Sequence, residues 1–270
     1  MSEIEVKDTV KPNVPTVTTV PMAPTPPPSA PTAGLTEETA QDKVEKAQNP
    51  VQYYVKVSFM ITYILLLTTA TIIFIEAMRT KDPTIRHILN LETCISIIAG
   101  YFYSLFLSQI DNYSSKNMPI DWKEISKTRY IDWSITTPFM LLALCAALAK
   151  NIGTTVNIKV ISLIVMLNYV MLGLGYLGEV DVMNRWSSVV SGFIAFIGMF
   201  YVIFINFIKP KFSYANNVIY YLYLGIWAMY GVVFMFDEEY KNILTNILDS
   251  IAKCGIGIGL WLYYSKIITV

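Results

Sequence analysis

The chain has 270 residues, of which 54% are hydrophobic and only 15% charged, and its mean hydropathy is +0.48. This is too apolar for a soluble domain of such a size and points to a membrane protein. Lys+Arg and Asp+Glu balance at 20 each, without the basic excess that nucleic-acid binding requires, so no nucleic-acid partner is expected.

The first fifty residues differ from the rest. Between Lys11 and Ala33 the composition is dominated by Pro, Thr, Val and Ala, which cannot bury enough apolar surface to fold and favours extended polyproline II. Residues 1–50 are therefore predicted to be a disordered tail. Within it, "LTEETAQDKVEKAQNP" spaces Thr39 and Asp42 as in a capping box and ends on Pro50, a pattern for a short surface helix. The tail lacks the basic start, apolar core and cleavage site of a secretory signal, so the first membrane span is expected to direct insertion.

Residues 51–270 form the second region. A bilayer-crossing helix needs about 20 largely apolar residues. Seven stretches qualify: Gln52 to Met78, Ile85 to Leu107, Ile125 to Ala149, Val156 to Leu177, Trp186 to Ile208, Val218 to Phe236, and Ile243 to Ile267. The predicted fold is an all-α membrane protein, a seven-transmembrane helix bundle embedded in a lipid bilayer. The loops after spans one, three and five and the C-terminus carry Arg79, Lys81, Arg86, Lys150, Lys159, Lys209, Lys211 and Lys266 against one clear acid, Asp82. By the positive-inside rule that side is cytoplasmic, which places the N-terminus outside and the C-terminus inside. Cys94, Cys145 and Cys254 lie in apolar stretches and read as small core residues. There is no CxxC, and His87, the single histidine, reads as interfacial, so no metal site is expected.

Charges inside such spans cost several kcal/mol unless paired or wetted, which makes each a functional hypothesis. Glu92, Asp132, Asp249 and Lys253 stand out, with Arg129 near the outer end of span three. Asp249 and Lys253 are four residues apart and share a helix face. They meet Asp132 if spans three and seven are neighbours. Two readings are open at this level: a structural ion cluster, or Schiff-base chemistry on a lysine buried in an apolar helix.

The stretch RYIDWSITTP, residues 129–138, resembles the third-helix signature of microbial rhodopsins, and DSIAK, ending at Lys253, resembles their retinal-attachment segment. "WAMY" supplies Trp227 and Tyr230 as in the family's retinal pocket, while Met171, Gly175 and Asn168 fit its ring-binding face. Within the family, "NLETCISIIAGYFYSLF" is most similar to the rhodopsins of large viruses of algae and other protists. The resemblance covers about Gln52 to the C-terminus. It implies all-trans retinal bound to Lys253 as a protonated imine. Asp132 would be proton acceptor and counterion, Asp249 a second counterion and Arg129 the charge balance. Trp133, Thr136, Thr137, Met140, Met171, Gly175, Trp227 and Tyr230 would line the pocket. Thr136 is placed to hydrogen-bond the Asp132 carboxylate, and Pro138 to bend the helix or free a carbonyl. An apolar residue at Met140 resembles the green-absorbing members.

Three departures from the family pattern stand out. Pumps commonly place a carboxylate eleven residues after the counterion, where this chain has Ala143; Glu92 is then expected to relay protons, line a cation path or bond across a subunit interface. Gly231 follows Tyr230 where the family often has proline. Asp237, Glu238 and Glu239 are candidates for release acids, although "DEEYK" also reads as a solvated loop. The implied function is light-activated ion transport by a retinal protein, not an enzyme, through proton pumping or proton or cation conductance. The alternatives are a light-gated cation channel without net pumping, and a sensory photoreceptor with a separate transducer. A homo-oligomer, trimer or pentamer, in the plasma or another cell membrane completes the expectation.

Overall fold

The computed structural model describes residues 50–116 and 118–268. The expected tail and its short helix lie outside the described residues. Seven helical rods follow in order: α1 Pro50–Arg79, α2 Pro83–Ser115, α3 Trp122–Ile152, α4 Ile158–Glu179, α5 Arg185–Ile208, α6 Tyr214–Val233 and α7 Glu238–Tyr264. The last turn of α5, Phe204–Ile208, is π-helical, as is Ser250–Gly255 within α7.

The connections carry the capping chemistry that a helix start requires. Asp82, Asp121, Asn157, Asn184 and Ser213 each accept a hydrogen bond from a backbone N–H in the first turn of the helix that follows. Gly153 ends α3 with φ at +75°, a left-handed conformation that other L-residues adopt only with strain.

Each helix packs against its sequence neighbours, and α7 closes the ring against α1. Ion pairs tie the connections at each end. At one end Lys150 meets Asp82 at 2.7 Å; at the other Lys123 meets Asp181 at 2.5 Å and Arg185 meets Glu238 at 3.2 Å. These are called the Lys150 end and the Glu179 end. Large apolar side chains such as Ile61, Ile64, Phe74, Ile194 and Ile197 face outward, as lipid contact demands. Among the described residues, six helices are long and apolar enough to cross a membrane. The exception, α6, has 20 residues and holds five tyrosines and two asparagines, which lower its average apolarity without shortening it below a bilayer's needs.

Two expectations change. "DEEYK" is not a solvated loop: Asp237 precedes α7, Glu238 and Glu239 form its first turn, and Lys241 is buried. Cys94 is exposed on the outer face of α2, whereas Cys145 and Cys254 are in the core.

Candidate functional site

Lys253 lies in the π-helical segment of α7 and is 1% exposed. π-turns inside α-helices occur often at functional sites, because they re-aim a side chain. Its Nζ donates to Asp132 Oδ2 at 2.9 Å and to Asp249 Oδ2 at 3.3 Å. Spans three and seven therefore do face each other, and the four charges Lys253, Arg129, Asp132 and Asp249 sum to zero in a water-poor interior.

The two carboxylates are satisfied unequally. Asp249 Oδ1 accepts from the Tyr230 hydroxyl at 2.7 Å, and Oδ2 accepts from the Tyr103 hydroxyl at 2.8 Å. Arg129 Nη1 stands 3.7 Å from Asp249 Oδ2. Asp132, by contrast, uses Oδ2 alone; its Oδ1 is buried with no protein hydrogen-bond partner. Thr136 does not supply that partner, contrary to expectation. Its hydroxyl donates to the backbone carbonyl of Asp132 at 2.9 Å, the usual back-bond of a helical threonine, and it does not line the cavity.

Arg129 is held from several sides. Nη2 donates to Asn242 Oδ1 and Asn246 Oδ1, both at 3.0 Å, and Nη1 donates to the Tyr103 hydroxyl at 3.3 Å. The rings of Phe59 and Phe106 lie 5.2 and 5.0 Å from the guanidinium carbon, within cation–π range.

A mainly apolar cavity of about 150 Å³ opens beside Lys253. Trp133, Thr137, Met140, Met171, Gly175, Trp227 and Tyr230 all line it. Asn168 does not: it is buried and donates to Thr137 at 2.7 Å, bracing α4 against α3. The cavity fits a polyene joined to an amine. Its walls beside Lys253 are aromatic and thioether surface, Lys253 presents a buried amine there, and Asp132 stands at that amine with an oxygen to spare.

Pro138, inside α3, lacks the N–H that would bond the carbonyl of Ser134. Tyr169 on α4 donates to that carbonyl at 3.0 Å, so the freed acceptor is satisfied across helices.

Toward the Lys150 end, Glu92 is 1% exposed and faces inward, with Oε2 beside Gly257 of α7. An inward-facing carboxyl cannot bond across a subunit interface, so that expectation falls. Glu92 Oε1, Ser96 Oγ, Tyr223 OH and Trp261 Nε1 are all buried without protein partners, and Glu92 and Ser96 are one turn apart on α2. Ala143 is fully buried.

Tyr103, Asn242, Asn246, Ser126, Glu179 and Lys241 were not anticipated. A signal existed for three of them. Tyr103 is eleven residues after Glu92, three helical turns along one face, and Asn242, Asn246, Asp249 and Lys253 follow a 4-3-4 spacing. For Ser126, Glu179 and Lys241 there was none, since each lies near a helix end where polar residues are ordinary.

Residues 54–267 match the family described as bacteriorhodopsin-like protein. Among solved structures, the viral rhodopsin OLPVRII is 40% identical, covers 80% of this chain and 100% of its own, and superposes with a TM-score of 0.73. Bacteriorhodopsin of Halobacterium salinarum is 24% identical over 204 residues, 68% of this chain and 74% of that protein. A green-light absorbing proteorhodopsin of Gamma-proteobacterium EBAC31A08 is 28% identical over 148 residues, 49% of this chain and 59% of the relative. The seven helices, the buried lysine with its two carboxylates and the match over residues 54–267 place this chain in the bacteriorhodopsin-like family of retinal-binding membrane proteins.

Proposed function

We propose that this chain moves protons across the membrane it spans in response to light, with all-trans retinal joined to Lys253 Nζ. Retinal supplies light absorption and an isomerisation that changes the surroundings of Nζ. The reading rests on the spare oxygen of Asp132. Its Oδ2 holds the counter-charge 2.9 Å from Nζ, and its Oδ1 is free to receive a proton without first breaking a bond. Asp249 keeps its charge, because two hydroxyls and Arg129 stabilise the anion and would be stranded by its protonation. Arg129, pinned by Asn242 and Asn246, holds positive charge on the Glu179 side of the carboxylates.

A pump must then resupply Nζ from the opposite side. Glu92, with Ser96, Tyr223 and Trp261, offers the buried polar groups on that side that Ala143 does not. The basic residues Arg79, Lys81, Arg86, Lys150, Lys159, Lys209, Lys211 and Lys266 support a cytoplasmic Lys150 end, so that protons leave toward the Glu179 end and the N-terminus is extracellular.

Two measurements test this. Purified with retinal, the protein should be coloured and Lys253→Ala should not; a variant that keeps the visible band overturns the attachment site. Photocurrent recorded against voltage should keep one sign through zero driving force. A current that reverses with the electrochemical gradient makes the protein a light-gated channel, and no current at all with a normal photocycle makes it a sensor.

A further inference from the structure

The cavity at Lys253 does not end at the counterions. It continues past Arg129, Asn242 and Thr245 to Ser126, Glu179 and Lys241 at the Glu179 end of the bundle. There Lys241 Nζ of α7 donates to Glu179 Oε1 of α4 at 2.5 Å, and Ser126 Oγ of α3 donates to the same oxygen at 2.6 Å. Lys241 also reaches Glu238 Oε1 at 2.9 Å, and Glu238 takes Arg185 of α5 at 3.2 Å. Glu179 and Lys241 are each only 7% exposed. The ring of Phe234, just after α6, lies 5.8 Å from Lys241 Nζ, and a Cβ at Gly178 would come within 2.4 Å of Ser188 Oγ, so the packing around the pair is tight. Four helices and the residue that follows α6 thus converge on this buried ion-pair network, which lines the Glu179 end of the cavity.

We propose that the Glu179–Lys241 pair, braced by Ser126, is the gate that closes the Lys253 cavity at the Glu179 end. A buried ion pair is suited to that task. Closed, the two charges neutralise each other and leave no unmet demand for water. Parted, Glu179 becomes an uncompensated buried charge and Lys241 keeps only Glu238, which Arg185 shares, so the unmet charge draws water into the cavity. The inference rests on Lys253 as the retinal site for one of its two readouts only.

The first readout is bleaching in the dark by hydroxylamine, which converts the linkage to retinal oxime and frees the Lys253 amine, so its rate reports aqueous access to Nζ. Lys241→Met leaves Glu179 without a cationic partner and should raise that rate about tenfold, whereas Glu179→Gln leaves Lys241 with Glu238 alone, an anion Arg185 shares, and should raise it by a smaller factor. The double variant Glu179→Gln/Lys241→Met leaves neither charge and should return to within about threefold of the unaltered protein. Lys150→Met, which breaks an ion pair at the opposite end, should leave the rate unchanged and serves as control for general loosening. Singles that bleach no faster than the unaltered protein, or a double variant as leaky as either single, overturn the gate.

The second readout needs no retinal. With Cys94→Ser removing the exposed thiol, Thr245→Cys places a thiol in the cavity wall, and its labelling by a small charged methanethiosulfonate reports access directly. Labelling should be slow with the pair intact and faster with Lys241→Met; equal rates overturn the proposal even if the chain never takes up retinal. Should either single variant fail to fold, Ser126→Ala removes one brace without stranding a charge and should speed labelling about threefold. No change with that variant counts against the gate as well.

Discussion

Gly231 of α6 is in such close contact with Phe193 of α5 that a Cβ at that position would lie 2.4 Å from the ring Cε2 and 2.6 Å from Cζ. Both residues line the Lys253 cavity. The family often has a proline here, but a proline brings a Cβ of its own, which this ring leaves no room for.

Gly231→Ala should therefore displace the Phe193 ring, lowering stability by about 1–3 kcal/mol, the usual cost of overpacking. Because the ring is cavity wall, the visible absorption band should move as well. Adding Phe193→Ala should relieve the clash and recover part of the stability. Thermal unfolding and absorption spectra of the two variants check this, and a silent Gly231→Ala would contradict the contact.

The unequal treatment of the two carboxylates gives a second expectation. Asp132→Asn removes the charge at 2.9 Å from Lys253 Nζ and should shift the visible band to the red or cost Nζ its proton at neutral pH. Asp249→Asn deprives Tyr103, Tyr230 and Arg129 of their shared anion. Breaking that buried network should destabilise the fold by about 3–5 kcal/mol, more than Asp132→Asn does. An acid titration of the colour, recorded beside thermal unfolding, separates the two roles.

Glu92 and Ala143 make a kinetic pair. If Glu92 returns the proton to Nζ, Glu92→Gln should slow decay of the deprotonated photointermediate and make it depend more steeply on external pH. Ala143→Asp supplies a second acid and should speed that decay, by about tenfold for each 1.4 kcal/mol taken from the barrier. Flash photolysis with voltage-clamp records distinguishes this from a conduction role, in which Glu92→Gln alters current amplitude or ion selectivity and leaves the decay alone.

At the Lys150 end, the Lys150 ammonium and the backbone N–H groups of Ile85 and Thr84 hold the Asp82 carboxyl below its ordinary range. A depressed folded-state value means that Asp82 contributes stability above about pH 4, its unfolded value, and loses it as pH falls further. Stability of the unaltered protein should thus drop on acidification through that range. Asp82→Asn keeps an acceptor for the cap but not the charge, so it should be less stable near neutrality and show a smaller acid-dependent fall. Thermal midpoints measured from neutral to acidic pH check both parts.

Much of this molecule was legible in one dimension for one reason: a charge inside an apolar run is costly enough to be conspicuous. Lys253, Asp249, Asp132 and Arg129 were visible on that ground, and their contacts at 2.9, 3.3 and 3.7 Å follow once α3 and α7 are neighbours. The aromatic walls were legible only through resemblance, since periodicity does not distinguish a pocket tryptophan from a core one. Thr136 was misjudged because spacing places a hydroxyl near a carboxylate but does not choose between that carboxylate and the backbone carbonyl four residues back. The inward aim of Glu92 was likewise undecided, since Glu92, Thr93 and Ser96 share a face of span two and spacing along one helix does not say whether that face meets the bundle or a neighbouring subunit.

The amino-acid sequence by itself determined seven apolar stretches, the pairing of Asp249 with Lys253 on one helix face, the charges Arg129 and Asp132 on another span, and the want of a carboxylate at Ala143, because each is a matter of composition or of spacing along one helix. Only the tertiary structure decided that Asp132 keeps an oxygen unpaired while Asp249 is saturated, that Tyr169 satisfies the carbonyl freed by Pro138, and that Glu179 and Lys241 meet at the cavity wall. Those are contacts between helices. The rotation and depth of one helix against another are set by the summed packing of whole faces, a quantity that no local pattern of residues carries.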